Sequence, residues 1–579
     1  MSDVITGIMT AAEREPERTA LIDGRGRKIT YGELARRVRA VRDAIAGGPG
    51  TESPPLPGNG TESRSRPGNG TANQPRSGNG MESGLRPGDG VLFAVRPGVD
   101  AVALALGAVA AGGTLVLADP GLAPEVLAAR MTATRPKWVV AESLLYTLSG
   151  PLKGLARRRG LLLPNLRDPL PGRPVRHLFT GPWLPGVPRG ALRLSRILRS
   201  PGSVPPSVHQ PYIPPDSPDD GLGGNPTTST GGSPTTSTND NLTASPDMSG
   251  ADAPDISEIS ADQPAAVIFT SGTTARPRGV VHTRGSLAAG LAMFQSAFPL
   301  GPGDIVHTDQ LMLGLPALLA GATWSLPGGG DLAEELAERR ATHTFAVPVH
   351  LDRLLRQTPR LPGTLRYLLL GAAPAPPAVL RRAIEAGPEV LSVYAMTEAL
   401  PIAIASAREK LAQADGDLLG APLPGVGVRI ADDGELFVSG PHLAQRYLGE
   451  DPLEEIATGD LVRLEEGRLV LLGRKKDMIL RDGVNIYPGL YEPAVAALPG
   501  VAEAAIVGLA DPETGDEEVV LAVVPADGYD EGLLRKALPA IVDAAALPDR
   551  IEPLDAFPRS GRADKLDRAA LRGLVTRRA

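Results

Sequence analysis

Cysteine is absent from all 579 residues, which rules out disulfides, thiolate zinc sites and cysteine nucleophiles. That absence fits a cytoplasmic enzyme. Positive charge is not in surplus either: the net charge is −7. Nucleic-acid binders need excess Lys and Arg to displace counterions, so a small-molecule substrate is expected instead. Lysine is scarce, at eight of the 59 basic residues, so a lysine at a motif position carries weight. A long unbroken apolar run is also missing. Ala101 to Ala118 and Leu311 to Pro327 are uncharged, but Gly112-Gly113 breaks the first, and Gly314, Pro316 and Gly321 break the second. Both read as buried core rather than membrane spans. The start, Met1-Ser2-Asp3-Val4-Ile5-Thr6, lacks a basic stretch followed by an apolar one, so no secretory signal is expected.

Two tracts carry too few apolar residues to join a core, at about 48–86 and 201–260. In the first, four decamers begin at Thr51, Thr61, Thr71 and Met81, and each ends in a Gly-rich turn. The last runs into Val91-Leu92-Phe93-Ala94-Val95, which points to tandem expansion of one turn into a flexible loop. The second repeats Pro226-Thr227-Thr228-Ser229-Thr230 at Pro234 to Thr238 and reads as a linker.

The rest alternates in the manner of α/β layers. Thr30 before Glu33 predicts a capping box for a helix carrying Leu34, Val38, Val41 and Ile45. From 99 to 140 the order is helix, strand, helix, strand, with elements at Ala101 to Ala111, Thr114 to Leu117, Ala123 to Met131 and Trp138 to Val140. A helix near Ser286 to Phe298 follows, then strands near Phe345 to Pro348, Tyr367 to Leu370 and Leu391 to Tyr394. Residues 152–200 hold eleven Arg or Lys and one acid, Asp168. They read as a solvated basic lobe, with peripheral contact to a membrane surface or an acidic partner as the alternative.

Thr270-Ser271-Gly272-Thr273-Thr274-Ala275-Arg276-Pro277-Arg278-Gly279 follows the apolar run Ala265 to Phe269. Hydroxyls, glycine backbone N–H groups and two arginines in ten residues suit a polyphosphate, with a polar surface turn as the alternative. Gly371-Ala372-Ala373-Pro374 and Ala395-Met396-Thr397-Glu398 each end a predicted strand, where open α/β sheets place ligands.

Together these stretches resemble the adenylate-forming superfamily of acyl-CoA synthetases, firefly-type luciferases and peptide-synthetase adenylation domains. The segment Thr270 to Gly279 resembles that family's phosphate loop. Tyr394-Ala395-Met396-Thr397-Glu398 resembles its Tyr-Gly-x-Thr-Glu motif, and Thr458-Gly459-Asp460 its ribose-gripping Thr-Gly-Asp. Gly473-Arg474-Lys475-Lys476-Asp477 resembles the hinge, Gly483 to Pro488 the loop after it, and Lys565-Leu566-Asp567-Arg568 the segment with the catalytic lysine.

The resemblance implies a large N-terminal domain of layered sheets and helices, residues 1–472, and a small mobile α+β lid, residues 473–579. It implies ATP and Mg2+ as cofactors and CoA as co-substrate. Thr270, Ser271, Gly272, Thr273, Thr274, Arg278, Gly279, Gly371, Ala372, Ala373, Pro374, Tyr394, Asp460 and Arg474 would bind the nucleotide. Thr397, Glu398 and Lys565 would serve catalysis, with Glu398 and Thr273 at the metal. Lys476 would be the pivot and Gly483 the thiol-side loop. The implied reaction activates a carboxylic acid, fatty or related, to an acyl-adenylate and transfers it to a thiol.

Some positions depart from the family pattern. Ala275 and Ala395 replace glycines, Arg278 replaces the loop lysine, Asp564 stands where glycine precedes the catalytic lysine, and Leu490 replaces a glutamate. Gln310 to Leu315 holds no histidine where many CoA ligases carry one. Thr397-Glu398-Ala399-Leu400-Pro401 with that missing histidine resembles β-lactone synthetases of the superfamily, in which a 3-hydroxy acid captures its own adenylate. An inactive nucleotide-binding homologue is the third reading. Small apolar residues such as Leu313, Gly314 and Leu315 are expected at the acyl pocket.

Overall fold

A computed structural model describes residues 3–47, 84–117, 124–158, 163, 165–199, 259–270, 278–372, 374–481, 484–510, 517–560 and 564–577. The first three decamers, nearly all of the Pro/Thr/Ser tract, and residues Ser271 to Pro277 lie outside the described residues.

The chain up to Arg474 builds two large sheets. In one of eight strands, the order is Arg446–Tyr447, Arg278–Thr283, Pro264–Thr270, Thr114–Leu117, Gly90–Ala94, Trp138–Glu142, Arg176–Thr180 and Leu192–Arg193. The strand Arg278–Thr283 was not expected from the sequence. It pairs antiparallel with Pro264–Thr270, with Thr270 opposite Arg278. The helix after it, Arg284–Ala297, starts two residues earlier than expected and is closed by a capping box between Thr283 and Ser286.

The second sheet has thirteen strands. Its parallel part runs Glu389–Met396, Tyr367–Leu370, His343–Ala346, Ile305–His307, Thr323–Ser325 and Thr19–Ile22. Lys28–Thr30 closes that edge. Beyond Glu389–Met396 the pairing turns antiparallel through Ala399–Ser406, Asp417–Pro422, Arg468–Arg474, Ile456–Glu465, Glu435–Ser439 and Gly427–Ile430.

Side-chain alternation along the central strands shows how the layers form. Val91 and Phe93 pack with Val41, Ile45 and Leu104 on one face, while Leu92 and Ala94 pack with Met131 and Tyr146 on the other. In the larger sheet Leu369 faces the core shared by helices Val4–Arg14, Tyr31–Ala46, Val99–Ala110, Arg284–Ala297 and Leu311–Leu319. Leu368 and Leu370 face Leu351, Leu355 and Leu380 on the opposite side. The result is helix, sheet, helix, sheet, helix in layers.

Both uncharged segments fold as broken core. Val99–Ala110 turns into strand Thr114–Leu117, and Leu311–Leu319 holds Pro316. Among the described residues, no helix is long and apolar enough to cross a membrane. Half of the expected capping box at Thr30 forms: its hydroxyl accepts from Glu33 N at 3.2 Å, but the Glu33 carboxylate pairs with Arg36 and Arg37 instead of returning. The decamer tract leaves and rejoins the fold at one place, since Leu85 N donates to Ile45 O at 3.1 Å. In the basic segment Phe179 is buried in the sheet core, whereas Leu152, Leu155 and Trp183 are exposed.

After the short turn Lys475–Asp477, the chain makes a hairpin, Ile479–Arg481 with Val484–Ile486, and a separate three-stranded sheet of Val501–Ala510, Glu517–Pro525 and Arg550–Pro553. One face of that sheet packs on Val495, Leu534 and Leu538, the other on Leu571 and Val575.

Candidate active site

The strand Glu389–Met396 carries most of the site because it lies where the large sheet changes from parallel to antiparallel pairing. A register shift between Tyr394 and Met396 lets Tyr394 lean toward the antiparallel part. Its hydroxyl donates to Asp460 Oδ2 at 2.7 Å. Asp460 is held by its own motif: Asp460 N donates to Thr458 Oγ1 at 3.1 Å, and Gly459 N donates to Glu435 Oε1 at 3.1 Å. Arg474, opposite Asp460 in the strand pair, brings Nε to 3.0 Å from Oδ1. The contact is an ion pair off the hydrogen-bonding line. Oδ1 is therefore a buried acceptor that no hydrogen bond reaches among the described residues. A ribose hydroxyl would complete it, as buried polar atoms require, so these residues fit a nucleoside.

Lys565 arrives from the small C-terminal unit on the short hairpin of Arg559–Ser560 and Lys565–Leu566. Desolvation, then the positive charge of Arg474, holds its ammonium below the usual lysine value; Asp460 opposes that shift and Lys476 adds to it. The same interactions place Lys565 within electrostatic reach of Asp460 and Arg474. Asp564 has φ of 49°, the left-handed region that glycine enters freely and aspartate tolerates better than most residues. That accounts for an aspartate in the position before the lysine.

Thr397 and Glu398 do not start a helix; they form the tight turn between Glu389–Met396 and Ala399–Ser406. The turn is clamped from the eight-stranded sheet. His282 Nε2 lies 2.7 Å from the Thr397 carbonyl, which makes that nitrogen the protonated one, and Ala444 N donates to Glu398 O at 2.7 Å. Burial pushes His282 down from its ordinary pKa and His442 down to about 4, so both rings are neutral at pH 7. Glu398 is buried, and Tyr447 donates to its Oε1 at 2.8 Å.

Among the described residues no three His, Asp or Glu gather as a metal cage. A single carboxylate at this turn fits the Mg2+ that nucleotide phosphates carry, because that ion keeps most of its ligands as water and phosphate oxygen.

Arg278, the first described residue after the phosphate segment, makes its contacts with Tyr447 and Glu450. Its guanidinium lies 3.4 Å from the Tyr447 ring centre and pairs with Glu450 at 2.7 Å. Thr270 and Gly279 flank that segment on paired strands. Ser271, Gly272, Thr273, Thr274, Ala373 and Gly483 lie outside the described residues. Gly371, Ala372 and Pro374 follow the neighbouring strand Tyr367–Leu370, with Ala372 in the left-handed region at φ 69°. Of the residues expected at the acyl pocket, Leu313 is buried, Leu315 is partly buried against the same core, and a Cβ on Gly314 would lie 2.1 Å from the Trp324 ring.

The chain on either side of Lys476 is pinned. Lys475 Nζ lies 2.6 Å from Asp433 and 2.7 Å from Glu435, both in the large unit, while Asp477 pairs at 3.4 Å with Arg568 of the small one. Lys476, exposed, is the residue between the two anchors. Sequence reading missed Tyr447, His282, Glu435 and Lys475. Each lies outside the recognised motifs or at an unremarked position within them, and only tertiary contacts reveal it.

Comparison with known proteins agrees with this geometry. The AMP-binding enzyme family model matches residues 75–448, and that of the AMP-binding enzyme C-terminal domain matches residues 491–563. An indoleacetate–CoA ligase of Aromatoleum aromaticum is 30% identical over 356 residues, 55% of this chain and 69% of that protein. A 2-succinylbenzoate–CoA ligase of Bacillus velezensis is 31% identical over 289 residues, 44% of this chain and 58% of that protein. The structure of an amide bond synthetase from Marinactinospora thermotolerans superposes with a TM-score of 0.70 at 23% identity, covering 99% of each chain. The chain belongs to the AMP-binding enzyme family.

Proposed function

We propose that this member of the AMP-binding enzyme family is an AMP-forming acid–thiol ligase. A carboxylate oxygen attacks the α-phosphorus of ATP, the bond to pyrophosphate breaks, and an acyl-adenylate forms. A thiol, most simply that of CoA, then attacks the acyl carbon, losing its proton and releasing AMP. The observation that carries this reading is the Asp460–Arg474 pair at 3.0 Å, with Tyr394 on Asp460 Oδ2 and Oδ1 accepting no hydrogen bond among the described residues, and with Lys565 of the C-terminal unit electrostatically coupled to both charges.

Asp460 and Arg474 would hold the ribose, and Tyr394 would set the wall beside the base while fixing Asp460. Lys565 would offset charge as the carboxylate approaches the α-phosphate. Glu398 would hold Mg2+, which supplies charge neutralisation to the phosphates when bound. Residues 1–472 and 473–579 would act as catalytic body and lid about Lys476, with the Gly483 loop serving the thiol step.

The curated relatives act on arylacetic and aryl-keto acids by their names, which supports aromatic acids ahead of fatty ones as first substrates. The test is acid-dependent exchange of labelled pyrophosphate into ATP across aromatic, aliphatic and 3-hydroxy acids, followed by product analysis with and without CoA. Thioester formed only with CoA supports the ligase. Lactone formed without CoA would overturn the thiol step, and no exchange with any acid would overturn activation itself.

The same chain offers an acidic surface a place to dock. Exposed Leu152, Leu155 and Trp183 stand in a segment with eleven basic residues and one acid. Co-sedimentation with anionic but not zwitterionic vesicles is the expected result, and equal recovery with both would overturn it.

A further inference from the structure

We propose that Tyr447 is a positioning residue for the metal-binding carboxylate: its phenol holds Glu398 Oε1 so that Glu398 meets the nucleotide-borne cation through Oε2 alone. The inference rests on the reading of Glu398 as the metal carboxylate, and on contacts that lie outside the motif containing Glu398.

Three separate contacts fix Tyr447. Its backbone is in the strand Arg446–Tyr447, paired with Val280 and Val281, and the next residue, Leu448, donates its N–H to Gly279 O at 2.7 Å. Its ring is covered by the Arg278 guanidinium at 3.4 Å, and Arg278 is itself tied to Glu450 at 2.7 Å. Its hydroxyl has one aim, Glu398 Oε1 at 2.8 Å, and the Glu398 backbone is held by Ala444 from the same loop. Tyr447 is 6% exposed and Glu398 8% exposed, so water does not compete for the bond.

Among the described residues, Glu398 Oε2 accepts no hydrogen bond. A carboxylate with one oxygen held by a buried phenol is biased away from chelating through both oxygens. It offers the cation one oxygen in one direction, which suits the strict octahedral demand of Mg2+. Partners that orient a ligand in this way commonly change metal affinity by 10–100-fold when removed. The Arg278 stack extends the arrangement. Arg278, in the strand that follows the phosphate segment, rests on the ring whose hydroxyl holds Glu398.

The test is Mn2+ binding followed by electron paramagnetic resonance in the presence of the non-cleavable analogue AMPCPP, which reads the site without turnover. Tyr447→Phe keeps the ring and the Arg278 stack, and thermal unfolding checks its fold. About a tenfold or greater loss of Mn2+ affinity is expected. Glu398→Gln should lose more, and the double variant should bind no worse than Glu398→Gln, because Tyr447 acts through Glu398. In exchange assays the Mg2+ concentration for half-saturation should rise while the KM for the acid stays within twofold. Wild-type Mn2+ affinity in Tyr447→Phe, or losses that add in the double variant, would overturn the positioning role, as would a wild type that binds no Mn2+ with the analogue. A wild type that binds Mn2+ and AMPCPP but exchanges no pyrophosphate would instead overturn the ligase reading and leave the role of Tyr447 standing.

Discussion

Gly290 lies in the helix Arg284–Ala297 where it crosses the strand that follows the Glu398 turn. A Cβ at this position would sit 2.2 Å from the Leu400 carbonyl oxygen and 3.4 Å from its carbon, with the His442 Cβ at 3.8 Å. The nearest obstacle is backbone, so no rotamer relieves it. Restoring a contact of 3.0 Å requires helix and strand to part by about 0.8 Å.

Two effects oppose each other in Gly290→Ala. Alanine gains about 1 kcal/mol of helix propensity, while overpacking costs about 1–3 kcal/mol. Net stability should therefore fall by no more than about 2 kcal/mol, and the variant should fold. Leu400 is two residues from Glu398, so the displacement is expected to act on the turn against the contacts that clamp it. Misplacement of about 1 Å can cost 100-fold in rate, and at least a tenfold loss of acid-dependent exchange is expected, with a raised Mg2+ requirement. Thermal unfolding together with the exchange assay measures both parts, and Gly301→Ala, with nothing within 4 Å of the added Cβ, is the control. Exchange within twofold of wild type in a folded Gly290→Ala protein would refute the argument that this helix sets the position of the turn.

Lys565→Ala should abolish acid-dependent exchange while ATP binding by calorimetry stays within a few-fold, because Asp460, Arg474 and Tyr394 are untouched; surviving exchange would remove Lys565 from the chemistry. Asp3 caps the first helix and pairs with Arg284 at 2.8 Å, and Arg284 is only 2% exposed. Asp3→Ala leaves that charge without this partner, and a loss of about 3 kcal/mol is expected in urea unfolding. Burial opposes ionisation of Asp3, but Arg284 and Thr6 outweigh it and hold the carboxyl below its ordinary value of 3.8. Its contribution is therefore complete above about pH 4 and disappears as pH falls through the lower folded-state value. The difference in stability between wild type and Asp3→Asn should shrink below pH 4; a difference independent of pH would show that the pair contributes nothing through charge.

Much of the fold was readable because periodicity and motif order are local. Thr114 to Leu117 and Tyr367 to Leu370 appear as expected, and the helices at Val99–Ala110 and Pro124–Thr134 differ by a few residues at their ends. The strand Arg278–Thr283 was hidden because its apolar core is only Val280 and Val281, and its pairing is with residues that precede the phosphate segment. The motifs indicated Asp460, Arg474 and Lys565, since those residues sit in recognisable strings. They did not indicate that Arg278 would turn to Tyr447 and Glu450, nor that Glu435 would tie Lys475 to Gly459. Those contacts join segments far apart in sequence, and no local pattern encodes them. The packing around Gly314 was not legible either: nothing local shows that the Trp324 ring lies against it.

The bond between Leu85 N and Ile45 O gives the decamer tract an unusual freedom to change length. Both chain ends are already held together there, and the entropy of closing a loop grows in general only with the logarithm of its length. Removing two decamers, residues 61–80, would change closure by about 0.7 kcal/mol, less than many surface substitutions. A duplication in units of ten restores the same two end residues each time and leaves both sheets in register. The site between Gly47 and Gly84 is thus a natural port for inserted sequence, where a tag or a second domain could be carried with both flanking ends kept in place.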